Sequence, residues 1–369
     1  MAARLRADVG ALAAIERPSA GAGEQRSAAW VVGRLRELGC EQVRSEPYRY
    51  ASTFAWSQAA HYVAGVAAAA VGSRTLAAAA LASHELEYSG RCQWLRRLLP
   101  AGEGANAVGR LPARGERRRA LLLVAHHDAA RTGLMWDPRF LAAGNRAAQR
   151  TGKRASLALL PELALALAAI GGRVPRVVAA TLLGTAIALL AQVARGPAVP
   201  GANDNASGVA AMLAVVEELA RERPEGLEVI ALAPGSEEAG MGGMAAWLNA
   251  HGHELDPATT FVLGLDTVGS GEPVVLTAEG GLWPVRYRGE DVEHAERAAA
   301  AVGVELRRWR LGAWTDPVLA RLAGLPTVSI LSVRDGGFPN YHLPSDTPEQ
   351  VDYDCVERCV RAAAAIARA

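Results

Sequence analysis

The chain has 369 residues, half of them hydrophobic, so it is long enough to bury a large core. Its 39 basic and 38 acidic side chains leave a formal net charge of +1, which provides no overall field that would attract nucleic acid. Its four cysteines are too few for a disulfide framework in a chain of this length. Cys355 and Cys359 lie four positions apart on a predicted helix, and we interpret them as small buried residues rather than zinc ligands.

The predicted elements begin with a helix and a strand. Residues 26–38 place apolar side chains on one side at helical spacing, and residues 41–50 are typical of an extended segment. Further strands, most of them short apolar runs, are predicted at 106–111, 120–125, 227–233, 260–265 and 326–331. A helix with a clear apolar stripe is predicted over 205–222, and the last helix runs from about Asp354 to the end. This order predicts an α/β sheet covered by helices.

Two stretches fall outside this alternation. Residues 59–82 and 157–194 are rich in apolar side chains, and each contains a short break with glycine and arginine, which predicts helical hairpins inserted at 56–88 and 155–196. Their apolar blocks of about 14–18 residues are near or below the length of about 20 that spans a bilayer. Two interpretations stay open: embedding in a membrane, or packing on the catalytic domain or in a homo-oligomer interface.

The distribution of charge supplies a hypothesis about location. Four basic residues at 146–154 precede the second hairpin and Arg195 follows it, and the positive-inside bias then places the catalytic side in the cytoplasm. The N-terminus has no apolar stretch typical of a signal peptide. We therefore expect a membrane-associated protein with a cytoplasmic catalytic domain.

Side chains that carry chemistry follow two of the predicted strands. His126 and Asp128 come after one of them; a neutral imidazole is a good zinc ligand, and a carboxylate two residues on can hold it in the correct tautomer. Glu237 and Glu238 come after another, beside glycines. That placement suits one carboxylate on a metal and one over a metal-bound water.

Three further candidates lie at a strand end or in a loop that precedes a helix. Asp204 lies in the turn-rich segment GANDNASG before the helix 205–222, where capping the helix and binding a metal are compatible roles. Asp266 directly follows a predicted strand, and His342 lies in the loop before the last helix. Open α/β sheets place their sites at such strand ends and helix starts.

The five candidate ligands are two histidines and three carboxylates, with no cysteine. Such a set suits paired zinc ions that clamp a water and polarise a carbonyl, and an odd carboxylate can bridge the two ions. Manganese or cobalt could occupy the same ligands. The expected reaction is hydrolysis of an amide.

The order of these motifs resembles the M28 family of zinc exopeptidases: HxD, GANDNASG, a pair of glutamates followed by glycine, LDxxG, and a late YH. The resemblance covers residues 26–50 and 104–369 apart from the inserted hairpins. It implies one catalytic domain over 1–369 with the zinc exopeptidase fold, a mixed, mostly parallel sheet covered by helices. It also implies two zinc ions per chain and a peptide substrate, cleaved at the N-terminus of short peptides as by an aminopeptidase.

The resemblance also implies roles for the metal ligands. His126 and Asp266 would bind one zinc ion, Glu238 and His342 would bind the other, and Asp204 would bridge them.

The same resemblance assigns catalytic roles to three other residues. Glu237 would take the proton from the bridging water and deliver it to the leaving amine, Asp128 would orient His126, and Tyr341 would help to hold the oxyanion. Asp316, in the segment Thr315-Asp-Pro, is either a site residue on the substrate side or a structural one.

One departure from the family pattern is large. His126 and Asp204 are 78 positions apart because the second hairpin intervenes, so the insertion must loop out of the sheet for the site to assemble. Other functions stay open on the same fold: a glutaminyl cyclase-like acyltransferase, a carboxypeptidase or dipeptidase, and a non-catalytic binding or receptor module. Against the last of these, all five ligand positions and the base are filled.

Overall fold

The computed structural model describes residues 1–369. Its α-helices are α1 (Ala2–Ala13), α2 (Ala22–Glu37), α3 (Ala55–Val71), α4 (Arg74–Tyr88), α5 (Pro138–Thr151), α6 (Leu159–Ile170), α7 (Arg173–Arg195), α8 (Gly208–Arg221), α9 (Gly242–His251), α10 (Gly289–Ala301), α11 (Pro317–Leu322) and α12 (Tyr353–Arg368). Its strands are β1 (Glu41–Ala51), β2 (Ala101–Leu111), β3 (Arg114–Val124), β4 (Glu225–Ala233), β5 (Thr260–Leu265), β6 (Glu272–Glu279), β7 (Val285–Arg286), β8 (Arg307–Leu311) and β9 (Thr327–Val333).

The nine strands form one sheet in the order β1-β2-β4-β3-β5-β9-β6-β7, with β8 beside β6. The central strands β4, β3, β5 and β9 are parallel, and antiparallel pairs flank them on both sides. The predicted mixed sheet covered by helices is therefore confirmed, with its parallel part at the centre. Strands β6, β7 and β8 were not predicted, because β7 and β8 are short and β6 lies among turn residues.

Helices pack on both faces of the sheet. The larger core lies against α1, α2, α8, α10 and α12, and it includes Cys355 and Cys359, both fully buried. The smaller core lies on the other face, where Met244 and Trp247 of α9 and Val318 of α11 are buried. Because the central strands are covered on both sides, their sequences are continuous apolar runs.

The predicted helix 205–222 starts later than its apolar stripe suggests. Residues Ala202–Ser207 form an irregular π-type turn in which Asp204 and Asn205 have non-helical backbone angles, and the α-helix α8 begins at Gly208. Asparagine and aspartate favour such turns because their side chains bond to nearby backbone groups.

The two inserted segments pack together as a bundle of four helices, α3, α4, α6 and α7, which we name the insert bundle. Apolar side chains from all four helices share small cores of their own. Gly65 of α3 allows a close approach to α6, since a Cβ there would lie 2.3 Å from Leu165 Cδ2.

Two backbone hydrogen bonds close the long segment between His126 and Asp204, which contains α5 and the second insertion. The backbone N–H of Thr132 donates to Pro197 O at 3.1 Å, and the N–H of Val199 donates to Ala130 O at 2.9 Å. These bonds hold the chain that precedes α5 beside the chain that returns from α7. His126 and Asp204 can therefore meet although the insertion separates them in sequence.

One helix of the insert bundle, α7, is long and apolar enough to cross a membrane by length and composition. Only 22% of its most apolar window is buried in the protein. This observation alone is weak evidence for a membrane, because core helices of other proteins pass the same test.

Candidate metal centre

The candidate ligands from five separate loops meet at the edge of the sheet where the central parallel strands end. His126 Nε2 lies 3.3 Å from Asp204 Oδ1 and 3.9 Å from Asp266 Oδ2. On the other side of the same carboxylate, His342 Nε2 lies 3.1 Å from Asp204 Oδ2 and 3.2 Å from Glu238 Oε2. Asp204 thus stands between two imidazoles, with one oxygen facing each.

The candidate base lies against this cluster. Glu237 Oε2 is 3.9 Å from His126 Nε2, and the side chain lines a cavity that opens onto the site. The ring of Tyr341 stacks on the ring of His342 at 3.8 Å and lines the same cavity. The structure therefore brings together every residue that the sequence singled out for the reaction, including Asp128 at 3.3 Å from His126 Nδ1.

The turn around Asp204 is fixed by its two asparagines. Asn205 Oδ1 accepts from the N–H of Gly208 and of Thr267, both at 3.0 Å, and Asn203 Oδ1 accepts from the N–H of Gly269 at 2.8 Å. These bonds join the turn to the loop that carries Asp266. The motif GANDNASG therefore positions two loops, and the peptide bond between Asp204 and Asn205 is cis.

The loop that carries the two glutamates is held by a buried carboxylate. Asp128 is fully buried, and it accepts from the backbone N–H of Glu237 at 3.1 Å and of Glu238 at 3.2 Å. It also accepts from the hydroxyl of Ser19 at 2.7 Å. Asp128 therefore contacts both His126 and the backbone that presents the glutamates.

Three positioning residues had no signal in the sequence that pointed to the site. Glu24 on α2 accepts from the N–H of Ser236 at 2.9 Å and from its hydroxyl at 2.8 Å, directly before Glu237. Asp346 accepts from the N–H of Asn203 at 2.8 Å and of Asp204 at 3.1 Å. The third residue is Arg17. Of the three, only Asp346 lies near a motif, four residues after His342.

Arg17 is a fully buried guanidinium beneath the cluster. It donates to His127 O at 2.8 Å, Pro200 O at 2.6 Å and Gly201 O at 2.7 Å. Burial lowers the pKa of Arg17 to about 10, although nearby carboxylates, first of all Asp128, oppose that shift. The arginine remains charged at neutral pH and ties the His126 loop to the turn that precedes Asp204.

The cluster concentrates negative charge in a buried place. Burial and neighbouring carboxylates raise the pKa of Glu237 and Glu238 well above the usual value, and they raise the pKa of Asp266 to about 6. Asp204 is the exception, because His126 and His342 outweigh its burial and hold its pKa below the usual range. Such crowding favours divalent cations, whose charge would offset that of the carboxylates.

Buried polar atoms without a hydrogen-bond partner also indicate a metal site. Glu238 Oε1 is buried without a hydrogen-bond partner in the protein. His126, Asp204 and Glu238 offer ligand atoms that all lie within 4.8 Å of one another. Imidazoles and carboxylates are donors that suit zinc. Asp316 is also buried with both carboxylate oxygens unpartnered, and burial raises its pKa well above the usual value.

An α/β sheet with histidines and carboxylates gathered at the ends of its parallel strands defines a hydrolase of the metal-dependent class. The model of peptidase family M28 matches residues 185–367, about half of the chain, and the matched part contains Asp204, Glu237, Glu238, Asp266 and His342. The chain belongs to peptidase family M28, and its ligand set suits zinc. Its substrate therefore contains a peptide bond.

Solved structures show the same fold. An aminopeptidase from Aneurinibacillus sp. strain AM-1 is 12% identical with a TM-score of 0.61, covering 99% of this chain and 93% of that chain. The zinc aminopeptidase BSAP from Bacillus subtilis is 16% identical with a TM-score of 0.59 over 99% and 93%. A glutaminyl cyclase from Bacteroides thetaiotaomicron is 16% identical with a TM-score of 0.57 over 100% and 97%. No curated protein matches the chain.

Proposed function

We propose that the protein is a two-zinc aminopeptidase that hydrolyses the N-terminal peptide bond of short peptides. The observation that carries the proposal is the position of Asp204, whose two oxygens face His126 at 3.3 Å and His342 at 3.1 Å. A carboxylate placed between two imidazoles suits a bridge between two ions. In this arrangement His126 and Asp266 would hold one zinc ion, and Glu238 and His342 would hold the other.

Glu237 is the proposed general base. When bound, the zinc ions would polarise the scissile carbonyl and make water acidic enough to attack at neutral pH. Glu237 then accepts the proton of the attacking water and delivers it to the leaving amine, a role supported by its place in the cavity wall, 3.9 Å from His126 Nε2. Asp128 keeps His126 in the tautomer that presents Nε2 to the site, and Tyr341 donates to the developing oxyanion.

The test is release of a chromophore from a panel of aminoacyl amides by the purified full chain. We expect cleavage that is lost on chelation, restored by zinc, and lowered about 10²–10⁴-fold in kcat by Glu237→Gln. Zinc content at wild-type level in Glu237→Gln would separate loss of the base from loss of the metals. About two zinc ions per chain without cleavage of any amide would overturn the aminopeptidase assignment.

Two further substrates separate the alternatives on this fold. An N-terminal glutaminyl peptide reports cyclisation, the activity named for one of the similar structures. A peptide with a blocked N-terminus and a free C-terminus reports carboxypeptidase activity. The aminopeptidase proposal predicts that both are poor substrates relative to an unblocked peptide.

We also propose that the insert bundle dips into one leaflet of a membrane. At its tip Val71, Ile170 and Val174 are 75%, 65% and 72% exposed, next to three arginines of the two helical turns. The 23-residue α7 is about 34 Å long, but the 12-residue α6 is only about 18 Å long, too short for a bilayer core of about 30 Å. An apolar tip with arginines suits an anionic surface.

Anionic lipids are typical of the cytoplasmic leaflet, which supports a cytoplasmic catalytic domain. The test is flotation of the protein with vesicles of neutral or anionic lipid. The membrane interpretation is supported if the wild-type protein binds anionic vesicles and Val174→Asp weakens this binding. The homo-oligomer interpretation would replace the membrane interpretation if the wild-type protein does not bind vesicles and sediments as a dimer. In that case Val174→Asp should convert the dimer to a monomer.

A further inference from the structure

A large apolar chamber adjoins the candidate metal centre. The cavity has a volume of about 580 Å³, and 19 of its 29 lining residues are hydrophobic. Glu237, Glu238 and His342 line it where it reaches the centre. We name this cavity the apolar chamber.

The insert bundle supplies much of the chamber wall. On α7, the lining residues Leu182, Ala186 and Leu189 recur at helical spacing, so one face of the helix is presented along about two turns. Phe54, directly before α3, and Tyr62, in the middle of α3, line the chamber as well. The wall of the cavity therefore extends for about 10 Å along α7.

The chamber has an apolar mouth. Leu134, Leu157 and Leu160 line the cavity, and each is also exposed to solvent. Exposed leucines grouped at a cavity entrance are unfavourable in water and mark a binding site for an apolar group. A polar peptide would gain nothing from this entrance.

The chamber is large enough to bind a group bigger than one ordinary amino-acid side chain. Its volume of about 580 Å³ falls in the range of about 300–1,000 Å³ that encloses a whole drug-sized ligand. Each methylene moved from water to an apolar site improves binding roughly fourfold, which corresponds to about 0.8 kcal/mol. An apolar chamber of this volume therefore favours a long linear alkyl chain over a short one.

We propose that the apolar chamber binds a long linear alkyl chain attached close to the scissile amide, so that the preferred substrates are amides of long-chain acyl groups. This inference rests on the proposed amide hydrolysis at the adjoining centre. Water adds across the C–N bond and yields a carboxylic acid and an amine, so the reaction needs no other co-reactant. The alkyl chain belongs either to an α-amino acyl group with a free amine or to a plain fatty acyl group.

The experiment measures kcat/KM for two series of acyl p-nitroanilides with the zinc-loaded full chain. One series carries a free α-amino group and the other does not, and in both the acyl chain grows from about two to about twelve carbons. We expect kcat/KM in at least one series to rise at least about tenfold over this range. The series that responds identifies which of the two acyl groups is the substrate.

A matched pair of variants on α7 tests the chamber itself. Ala186 lines the chamber, whereas Ala188, two positions on, is exposed and is not part of its wall. Ala186→Phe is expected to lower the ratio of long-chain to short-chain kcat/KM at least about tenfold, because its ring would occupy the space of several methylenes. Ala188→Phe is expected to leave this ratio unchanged.

Binding of a dansyl-labelled undecanoic acid to the Glu237→Gln protein supplies a readout that needs no hydrolysis. The proposal is supported if Ala186→Phe weakens this binding and Ala188→Phe leaves it unchanged. The proposal that the apolar chamber binds an alkyl chain is overturned if the rate of hydrolysis does not depend on the length of the acyl chain and Ala186→Phe does not weaken binding of the labelled acid. The peptidase proposal would then remain in place. If no amide is hydrolysed, the peptidase proposal fails. The claim that the bound alkyl chain belongs to a substrate then fails with it.

Discussion

Asp128 is the residue whose replacement tests the architecture of the site most directly. It accepts from the N–H of Glu237 at 3.1 Å, of Glu238 at 3.2 Å and from the hydroxyl of Ser19 at 2.7 Å, and its other contact is His126 Nδ1 at 3.3 Å. Asp128→Asn keeps the size of the side chain but turns one acceptor oxygen into an NH₂ donor. Whichever way the amide turns, at least one backbone N–H of the glutamate loop then faces a donor.

The expected magnitude follows from these contacts. A hydrogen bond to a charged group is worth about 1.5–3 kcal/mol, so Asp128→Asn should lower the free energy of unfolding of the metal-free protein by about that amount. Loss of the partner of a ligating histidine typically costs about 10–100-fold in metal affinity or activity. We expect both zinc affinity and kcat/KM to fall by a factor in this range.

The assay combines competition for zinc with a chromophoric chelator, kcat/KM on an aminoacyl amide, and urea denaturation. Ser19→Ala is the matched control, because it removes one bond to the same carboxylate and leaves His126 and both glutamates untouched. Its expected cost is about 1 kcal/mol in stability, with zinc affinity changed less than about threefold. Zinc affinity and kcat/KM of Asp128→Asn within about twofold of wild type would refute the positioning role of Asp128.

Two further predictions concern residues without a motif. Glu24→Ala should lower the free energy of unfolding by about 2–3 kcal/mol and lower kcat, because it leaves buried N–H groups of Ser236 and Ala105 unpaired. Urea denaturation and kinetic measurements check these two effects. An unchanged kcat would show that the loop at Ser236 does not need the support of Glu24. Burial raises the pKa of Glu279 from 4.5 to about 8, so the folded protein retains a proton that the unfolded chain releases above pH 4.5. The stabilising contribution of protonated Glu279 is thus complete below pH about 4.5 and is lost as pH rises through about 8, with a slope of up to about 1.4 kcal/mol per pH unit. The free energy of unfolding of wild type relative to the permanently neutral Glu279→Gln should fall over this range in urea titrations, and a constant difference would contradict the shift.

The strands that surround the site could be predicted from sequence because their burial leaves a simple pattern. Segments such as 260–265 and 227–233 are largely apolar, since both faces of β5 and β4 are covered by helices. Strands β7 and β8 lie toward one edge of the sheet, and β8 carries arginines, so the same pattern is absent there. The short strands β7 and β8 were therefore missed, and the buried strand β6 was missed because turn residues surround it.

The candidate ligands were found because each lies beside a recognisable local feature, such as the end of an apolar run or the segment GANDNASG. The residues that hold them were not found, because their role depends on contacts that are distant in sequence. Glu24 contacts Ser236 across 212 positions, and its own helix carries no feature that distinguishes it from a surface glutamate. The structure alone reveals such residues.

The position of the second insertion explains why the support of the site depends on a buried arginine. The insertion interrupts the chain between His126 and Asp204, two residues that must lie within bonding distance of the same ion in the proposed centre. The backbone bonds between 130–132 and 197–199 close the segment that contains α5 and the insertion, and Arg17 joins the carbonyl of His127 to those of Pro200 and Gly201 on the far side of that segment. Because one rigid planar group makes these bonds, the two loops are fixed relative to each other independently of the insert bundle. The bundle is consequently free to shape the rim of the active site, where it builds the apolar chamber, without displacing the carboxylate that the proposed metals share.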